Sequence, residues 1–543
     1  MPRITINGRE MDFDKGQTIL QVALDHDIEI PHYCFHPGLT IPANCRICLA
    51  EIWQPNPRNN NALEAIPKLM PTCQTTAIEG QVVRTDTPKA IANQKAVMEY
   101  LLINHPVDCP VCDQAGECYL QDYSYQYGRS VSRFKEAKIK QPKKDLGLHV
   151  LLYSDRCIMC TRCVRFTREV TGTNELMVMG RGATSQIDIF PGRPVENELS
   201  GNVIDICPVG ALLDKDFLFQ QRVWFLKRAA SIDPLTSSGD NIWVEHNEGK
   251  IYRIKPRTNM EVNTWWITDE VRYGWKFVHD ENRLTLPRVK GREELDPSQA
   301  GEAWNAAYEA VNKGLGGKCI AAVISPMLSC EDAYLLGTWM LSIDPKAAFV
   351  VGPVPFSGED KTFPGGFTVR AEKSPNARGV KRVLNALSDS VHDFDSALAV
   401  SRSAEALVIT GNYPSDWIIN DLLRMTEGKF TVAIDTLENR LAELADVVLP
   451  GATWAEKSGT FENVNNRLQT FERAIPPIDF CKGEAQIALD LTALRQGVRP
   501  ETCNAARTRA LMADLHGLRE FMEEVEAPVE SHKVESDMQI VEL

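Results

Sequence analysis

Eleven of the fifteen cysteines fall before residue 208, in three groups whose internal spacings match iron-sulfur ligand sets. The first is Cys34, Cys45, Cys48 and Cys73; the second joins His105 to Cys109, Cys112 and Cys118; the third is Cys157, Cys160, Cys163 and Cys207. A chain that must hold a metal in each of these sets is committed to short elements joined by ligand loops over its first 220 or so residues. Clustered cysteines around close C-x2-C pairs speak for metal rather than disulfides.

The spacings separate the groups chemically. The first reads C-x10-C-x2-C-x24-C. Two close cysteines on one loop, Cys45 and Cys48, can hold one iron, while Cys34 and Cys73 hold the other, as in a 2Fe-2S centre of plant-ferredoxin type. A zinc site is the competing reading, but zinc ligands usually come as two short pairs, and only Cys45 and Cys48 are close here. The second group, H-x3-C-x2-C-x5-C, leaves zinc and iron-sulfur both open by spacing alone. The third is half of a two-cluster bacterial ferredoxin: C-x2-C-x2-C followed remotely by Cys207-Pro208, with Thr167 at the position of the run's fourth cysteine. One 4Fe-4S cluster is expected there and its partner lost. The other cysteines, Cys319, Cys330, Cys481 and Cys503, are isolated and read as ordinary thiols.

At 543 residues the chain should form several domains. Its 73 acidic and 59 basic residues give a net charge of -14, which argues against general affinity for nucleic acid or an anionic membrane surface and points to protein partners. No apolar run is long enough to span a bilayer, and the opening MPRITINGRE carries neither a signal-peptide core nor a transit peptide. The expected setting is the interior of a bacterial cell.

Local patterns place the groups. RITINGREMDF reads as a hairpin about Asn7-Gly8, and 18–26 as a short amphipathic helix before the first ligand loop. Residues 54–69 are rich in Pro and Asn and read as an inserted surface loop; 88–104 has helical spacing up to His105; the basic stretch 135–144 reads as a connector and domain boundary. Further on, 242–245 and 251–254 form an expected hairpin about Asn247-Glu248-Gly249. Apolar strands at 320–324, 407–410, 430–434 and 447–449 alternate with helices such as 331–341, the pattern of a parallel α/β sheet. The acidic end from about 523 reads as disordered.

The ordered series, with HPVDCPVCDQAGECYLQD and SDRCIMCTRCVRF at its centre, resembles the large iron-sulfur subunit of respiratory complex I, NADH:quinone oxidoreductase. NTWWITDEVRYGW at 263–275 and ADVVLPGATWAEKSGTFENVNNRLQ at 445–469 resemble that family's molybdopterin-oxidoreductase-like region. The resemblance implies an α+β and α/β multidomain chain. Its parts would be a β-grasp 2Fe-2S ferredoxin-like domain at 1–85, a 4Fe-4S segment with one histidine and three cysteine ligands at 86–134, and a degenerate bacterial-ferredoxin-like 4Fe-4S domain at 145–225. A β-rich start at 226–285, a shortened molybdopterin-oxidoreductase-like α/β domain at 286–515 and an acidic tail at 523–543 would follow.

The same resemblance implies an electron relay in the peripheral arm, on the cytoplasmic face of the bacterial inner membrane. Electrons from NADH would arrive via FMN in a partner subunit, cross one 2Fe-2S and two 4Fe-4S clusters, and leave toward quinone through a ferredoxin-like connecting subunit. No catalytic residue is expected on this chain, and no NADH site, since no G-x-G-x-x-G fingerprint follows a strand. Some family members carry a further cysteine set at the start of the second half; none occurs between 208 and 318 here, and no cysteine stands out as a molybdenum ligand, so no molybdopterin is expected. The alternative is the iron-sulfur subunit of an NAD-linked formate dehydrogenase or of a hydrogenase, whose relatives usually retain the ferredoxin that Thr167 interrupts.

Overall fold

In the computed structural model, which describes residues 1–293, 296–523 and 525, the chain forms two compact units. The first comprises 1–226 with 362–367, and the second 227–361 with 368–543.

The first unit opens with β1 (Arg3–Ile6) and β2 (Arg9–Asp12), paired antiparallel. Asn7 and Gly8 have φ of 49° and 85°, the two positive values a tight hairpin turn demands and an Asn-Gly pair supplies. Helix α1 (Ile19–Asp25) starts at a capping box, Thr18 accepting from the Gln21 N–H while the Gln21 side chain accepts from that of Thr18, and buries Ile19, Leu20, Val22 and Ala23 on the sheet. β3 (Leu49–Asn56), β4 (Ala62–Ala65), β5 (Met70–Pro71) and β6 (Gln81–Arg84) complete that sheet in the order β2-β1-β6-β3-β4, with β5 beside β3.

The stretch 54–69, expected as a loop, is instead a hairpin extension: Trp53 to Asn56 pair with Ala65 to Ala62, and Asn60 and Asn61 turn the chain with φ of 47° and 57°. Its Pro and Asn content marked the turn correctly but hid the strands, because an exposed edge pair needs no apolar alternation.

Helix α2 (Pro88–Leu102) is capped by Thr87, whose side chain accepts from the Ala90 N–H, with Pro88 at the first turn, and it ends just before His105. α3 (Tyr119–Tyr127) begins directly after Cys118. β7 (Lys143–Asp145) and β8 (Val150–Tyr153) follow, then α4 (Arg162–Glu169), the hairpin β9 (Leu176–Met179) and β10 (Gln186–Ile189), α5 (Asn202–Asp205) and β11 (Leu212–Asp214). Lys143 and Lys144, the end of the expected connector, are strand residues paired to Tyr153 and Leu152, and both sides of 135–144 belong to the first unit.

The second unit starts with an antiparallel sheet of Lys227–Ile232, Asn241–Asn247 and Lys250–Pro256, turning at Glu248 and Gly249 as the sequence indicated. Its main sheet runs in the order Arg288–Val289, Val447–Pro450, Phe430–Asp435, Ala406–Thr410, Ile320–Ile324, Ala348–Val351, Val391–His392, parallel throughout except for the first. Every residue of Ile320–Ile324 and of Ala406–Thr410 is buried, as strands covered on both faces must be. Alternate side chains serve opposite faces: Ala322 and Ile324 join one core with Leu336 and Trp339, while Ala321 and Val323 join another with Leu422 and Leu441. The helix expected at 331–341 spans Cys330–Ile343. Of the expected tail, 523–543, all but positions 523 and 525 lie outside the described residues.

Candidate iron-sulfur centres

The first set sits at one end of the β1–β6 sheet. Cys34, Cys48 and Cys73 are buried and Cys45 is partly so. Left-handed backbone at Ala43 and Arg46, φ 48° and 60°, coils the loop so that Cys45 and Cys48 turn inward. The Thr72 N–H and hydroxyl both donate to the Cys48 carbonyl, at 3.3 and 3.0 Å, which ties the Cys73 loop to it. Cys45 and Cys73 hydrogen-bond the Cys34 sulfur and Cys73 that of Cys48, so the four sulfurs form one chain of contacts. Those donors hold Cys34 down to about 2 and Cys48 near 7, while Cys45 and Cys73 are pushed up in return. Four thiols competing for the same protons in a dry pocket are a site prepared for shared negative charge.

The second set fills the turn between α2 and α3. Lys138 Nζ donates to the carbonyls of Leu102 and Ile103 at 2.6 and 2.9 Å, closing the α2 end ahead of His105. Cys109 is exposed, Cys112 and Cys118 buried. Backbone N–H groups of Gln121 and Leu120, in the first turn of α3, point at the Cys118 sulfur, although burial still raises that thiol to about 12. His105 is held down to about 4, first by burial and then by the charges of Arg156 and Lys138, so its ring is neutral at ordinary pH. The ring hydrogen-bonds the Arg156 backbone, and its buried Nδ1 has no partner. A neutral imidazole nitrogen left without a donor is what a metal ligand requires.

The third set is assembled by strand pairing. β8 lies antiparallel to β11, Leu152 opposite Leu212, and the Tyr153 N–H donates to the Ala211 carbonyl at 2.8 Å. This brings the loop after β8, which carries Cys157, against the loop before β11, which carries Cys207. Met159 and Thr161, with φ of 53° and 60°, wrap Cys157, Cys160 and Cys163 about the start of α4. The Met159 N–H donates to Cys157 Sγ at 3.4 Å, and N–H groups of Leu212, Val209 and Ala211 converge on Cys207. Burial leads in raising all four thiols, and the other three members of the set add their charge at Cys163. Thr167 is fully buried, its hydroxyl donating to the Val164 carbonyl of its own helix at 3.2 Å, so no ligand is offered at that position.

The first set thus gathers its cysteines by sulfur contact, those of the second and third sets lie close enough to feel one another's charge, and His105 is linked to the second set by chain connectivity and its shared neighbour Arg156. Among the described residues no three His, Cys, Asp or Glu side chains close up as one metal ion would need. In the second unit Cys319 is exposed, Cys330 is buried with its thiol 3.5 Å from Asn376 Oδ1, Cys481 donates to the Leu284 carbonyl at 3.0 Å, and Cys503 is half-buried. Sequence reasoning passed over the buried arginines around the sets, Arg156, Arg162 and Arg165; the sole signal was their place beside ligands, within DRC and TRCVR.

Ferredoxin-like ligand domains followed by an α/β region define a multi-cluster iron-sulfur protein. Family models agree segment by segment: a 2Fe-2S iron-sulfur cluster binding domain matches 2–88, the NADH-ubiquinone oxidoreductase-G iron-sulfur binding region 94–133, and the ferredoxin-like domain of NADH-quinone oxidoreductase subunit 3 147–213. The NDSU1/NuoG-like 4Fe-4S domain matches 226–276, a stretch without cysteine in this chain, and molybdopterin oxidoreductase matches 415–493.

The NuoG-type NADH-quinone oxidoreductase subunit of Rickettsia felis is 28% identical over 90% of this chain and 87% of its own. The mitochondrial NADH-ubiquinone oxidoreductase 78 kDa subunit of Neurospora crassa is 38% identical over 63% of this chain, and there the match spans 46% of the relative. A NAD+-reducing [NiFe]-hydrogenase crystal structure aligns with 41% of this chain and 91% of its own at 27% identity, with a TM-score of 0.35, too low to carry an argument. Across these segments the chain is similar to the NuoG type of protein, the large iron-sulfur subunits of NADH-quinone oxidoreductase.

Proposed function

We propose that the chain carries one 2Fe-2S and two 4Fe-4S clusters and relays electrons one at a time, from NADH oxidised at FMN in a partner subunit toward a ferredoxin-like connecting subunit and quinone. Cys34, Cys45, Cys48 and Cys73 hold the first; His105, Cys109, Cys112 and Cys118 the second; Cys157, Cys160, Cys163 and Cys207 the third. The thiol contacts favour Cys34 with Cys45 on one iron and Cys48 with Cys73 on the other, rather than the pairing by sequence proximity. When bound, such clusters supply one-electron carriers whose potentials respond to charge, N–H donors and exposure.

The chain's own residues set those conditions. Buried cysteines exclude water, the N–H groups at Cys118 and Cys207 favour anionic sulfur, and the neutral His105 ring subtracts one negative charge from its set. The observation that carries the reading is the orphaned, buried Nδ1 of His105, which shares its neighbour Arg156 with Cys112. Among the described residues no helix is long and apolar enough to cross a membrane, which fits a peripheral subunit on the cytoplasmic face of the bacterial inner membrane. The isolated cysteines of the second unit support a molybdopterin-free scaffold there.

The test is iron and acid-labile sulfide per chain on anaerobically prepared protein, with EPR of the reduced form and a molybdenum assay. About 10 irons per chain and no molybdenum are expected. About 14 irons, or stoichiometric molybdenum, would instead favour a dehydrogenase or hydrogenase subunit. Zinc without iron would sink the electron-relay reading.

A further inference from the structure

Arg162 is 6% exposed and stands one residue before Cys163. Its Nη1 donates to the carbonyl of Ile206, next to Cys207, at 3.2 Å, and its Nη2 to the carbonyl of Phe35, next to Cys34, at 2.5 Å. The guanidinium carbon lies 6.0 Å from the centre of the Tyr119 ring, next to Cys118. One buried cation thus touches a sequence neighbour of a ligand in every one of the three sets. Its hydrogen-bond acceptors are neutral carbonyls, its Nε is buried without a partner, and no carboxylate pairs with it among the described residues. Such a charge is costly to bury unless a negative charge lies close by.

Arg165, one helical turn on and 4% exposed, makes a narrower set of contacts. It donates to the carbonyls of Cys34 at 2.6 Å and Cys160 at 3.4 Å, and to that of Thr40. All of these belong to the loops of the first and third sets, and none to the second.

We infer that Arg162 is the shared counter-charge of the three clusters, a positioning residue whose fixed guanidinium raises their reduction potentials together, while Arg165 does the same for the first and third alone. The inference rests on the cluster assignment proposed above. A cluster gains negative charge on reduction, so a nearby fixed cation stabilises the reduced form more than the oxidised one. One cation serving all three sets shifts them in the same direction and preserves their order, which a relay between neighbours of similar potential needs. The carbonyl contacts also pin the ligand loops of the first and third sets to α4, which fixes the spacing between those two.

The test is a redox titration of the full chain with its clusters in place, followed by EPR at temperatures that separate 2Fe-2S from 4Fe-4S signals, on wild type, R162Q, R162K and R165Q. The expected result is a fall in all three midpoints in R162Q and in the first- and third-set midpoints alone in R165Q, with R162K near wild type. Unmoved midpoints in an iron-replete R162Q would overturn the inference, as would equal shifts in R162K and R162Q, which would show that contacts rather than charge matter. Should R162Q fail to retain iron, R165Q decides: unmoved midpoints there, or a shift in the second set equal to that in the others, reject the idea. A wild-type chain without the three signals rejects the cluster assignment itself, which is a separate failure.

Discussion

Gly210 stands against Cys112 so closely that a Cβ added to it would lie 2.3 Å from the cysteine sulfur. Gly210 follows Cys207-Pro208-Val209 of the third set and Cys112 is a member of the second, so the two ligand loops are packed through a missing side chain. Arg156, 3% exposed, seals the same place: it donates weakly to the Gly210 carbonyl at 3.5 Å and to Asp108 at 3.1 Å, with its guanidinium 4.0 Å from the Tyr153 ring centre. Replacing Gly210 with alanine must displace Cys112 Sγ, because no real contact is that short. G210A is expected to lose most of the EPR signal of the histidine-containing set and about four irons per chain, with the first set intact. Full iron content in G210A would show that the loop yields.

His105→Cys tests the assignment from the ligand side. The neutral ring would give way to an anionic thiolate, so the cluster becomes more negative and harder to reduce. The midpoint of that one cluster should fall while the others hold. A midpoint that stays or rises would mean that His105 does not ligate iron.

The candidate ligands were legible because ligand chemistry constrains spacing in a way that survives without any knowledge of the fold: Cys157, Cys160 and Cys163 stand out by C-x2-C-x2-C alone. The hairpin at Asn7-Gly8 and the buried strand Ile320–Ile324 were legible for a similar reason, since positive φ and double-sided burial each demand particular residue types. Arg162 was not legible, because its meaning lies in reaching the carbonyls of Phe35 and Ile206, 127 and 44 residues away, which leaves no local pattern. Two-residue strands such as Arg288–Val289 and Val391–His392 are too short to show any period. The strands of 54–69 were masked by turn residues serving an exposed edge.

In the second unit Lys457 is the centre of a buried ion network. Its Nζ lies 2.9 Å from Asp332 Oδ2 and also contacts Glu484; the three side chains are 11%, 2% and 1% exposed. Burial alone would push Glu484 upward, and it sits near 7 even with the lysine beside it. Lys457→Met removes the one cation and leaves two carboxylates facing each other in a dry core. The expected cost is about 3–5 kcal/mol of stability, since breaking a buried pair strands the partner charge. Chemical denaturation followed by tryptophan fluorescence would read it, and an unchanged midpoint would mean that the network contributes nothing net.

Asp233 and Asp240 form a second buried acidic pair, 0% and 3% exposed, with Asp240 Oδ2 lacking any hydrogen-bond partner. Asp233 accepts from the N–H groups of Leu235 and Thr236 and from the hydroxyls of Thr236 and Ser238, yet burial still raises it to about 6. Asp240 is raised well above its ordinary value, first by burial and then by the charge of Asp233, with Arg370 and Ser238 opposing. Both carboxyls hold protons more tightly folded than unfolded. Their contribution to stability is therefore complete below the unfolded value of about 4 and is lost as pH rises through about 6 and beyond. D240N cannot ionise and relieves Asp233 of a like charge, so its melting temperature should fall less between pH 5 and 8 than that of the wild type. A D240N melting profile with the same slope as wild type over that window would show that the pair is not what titrates.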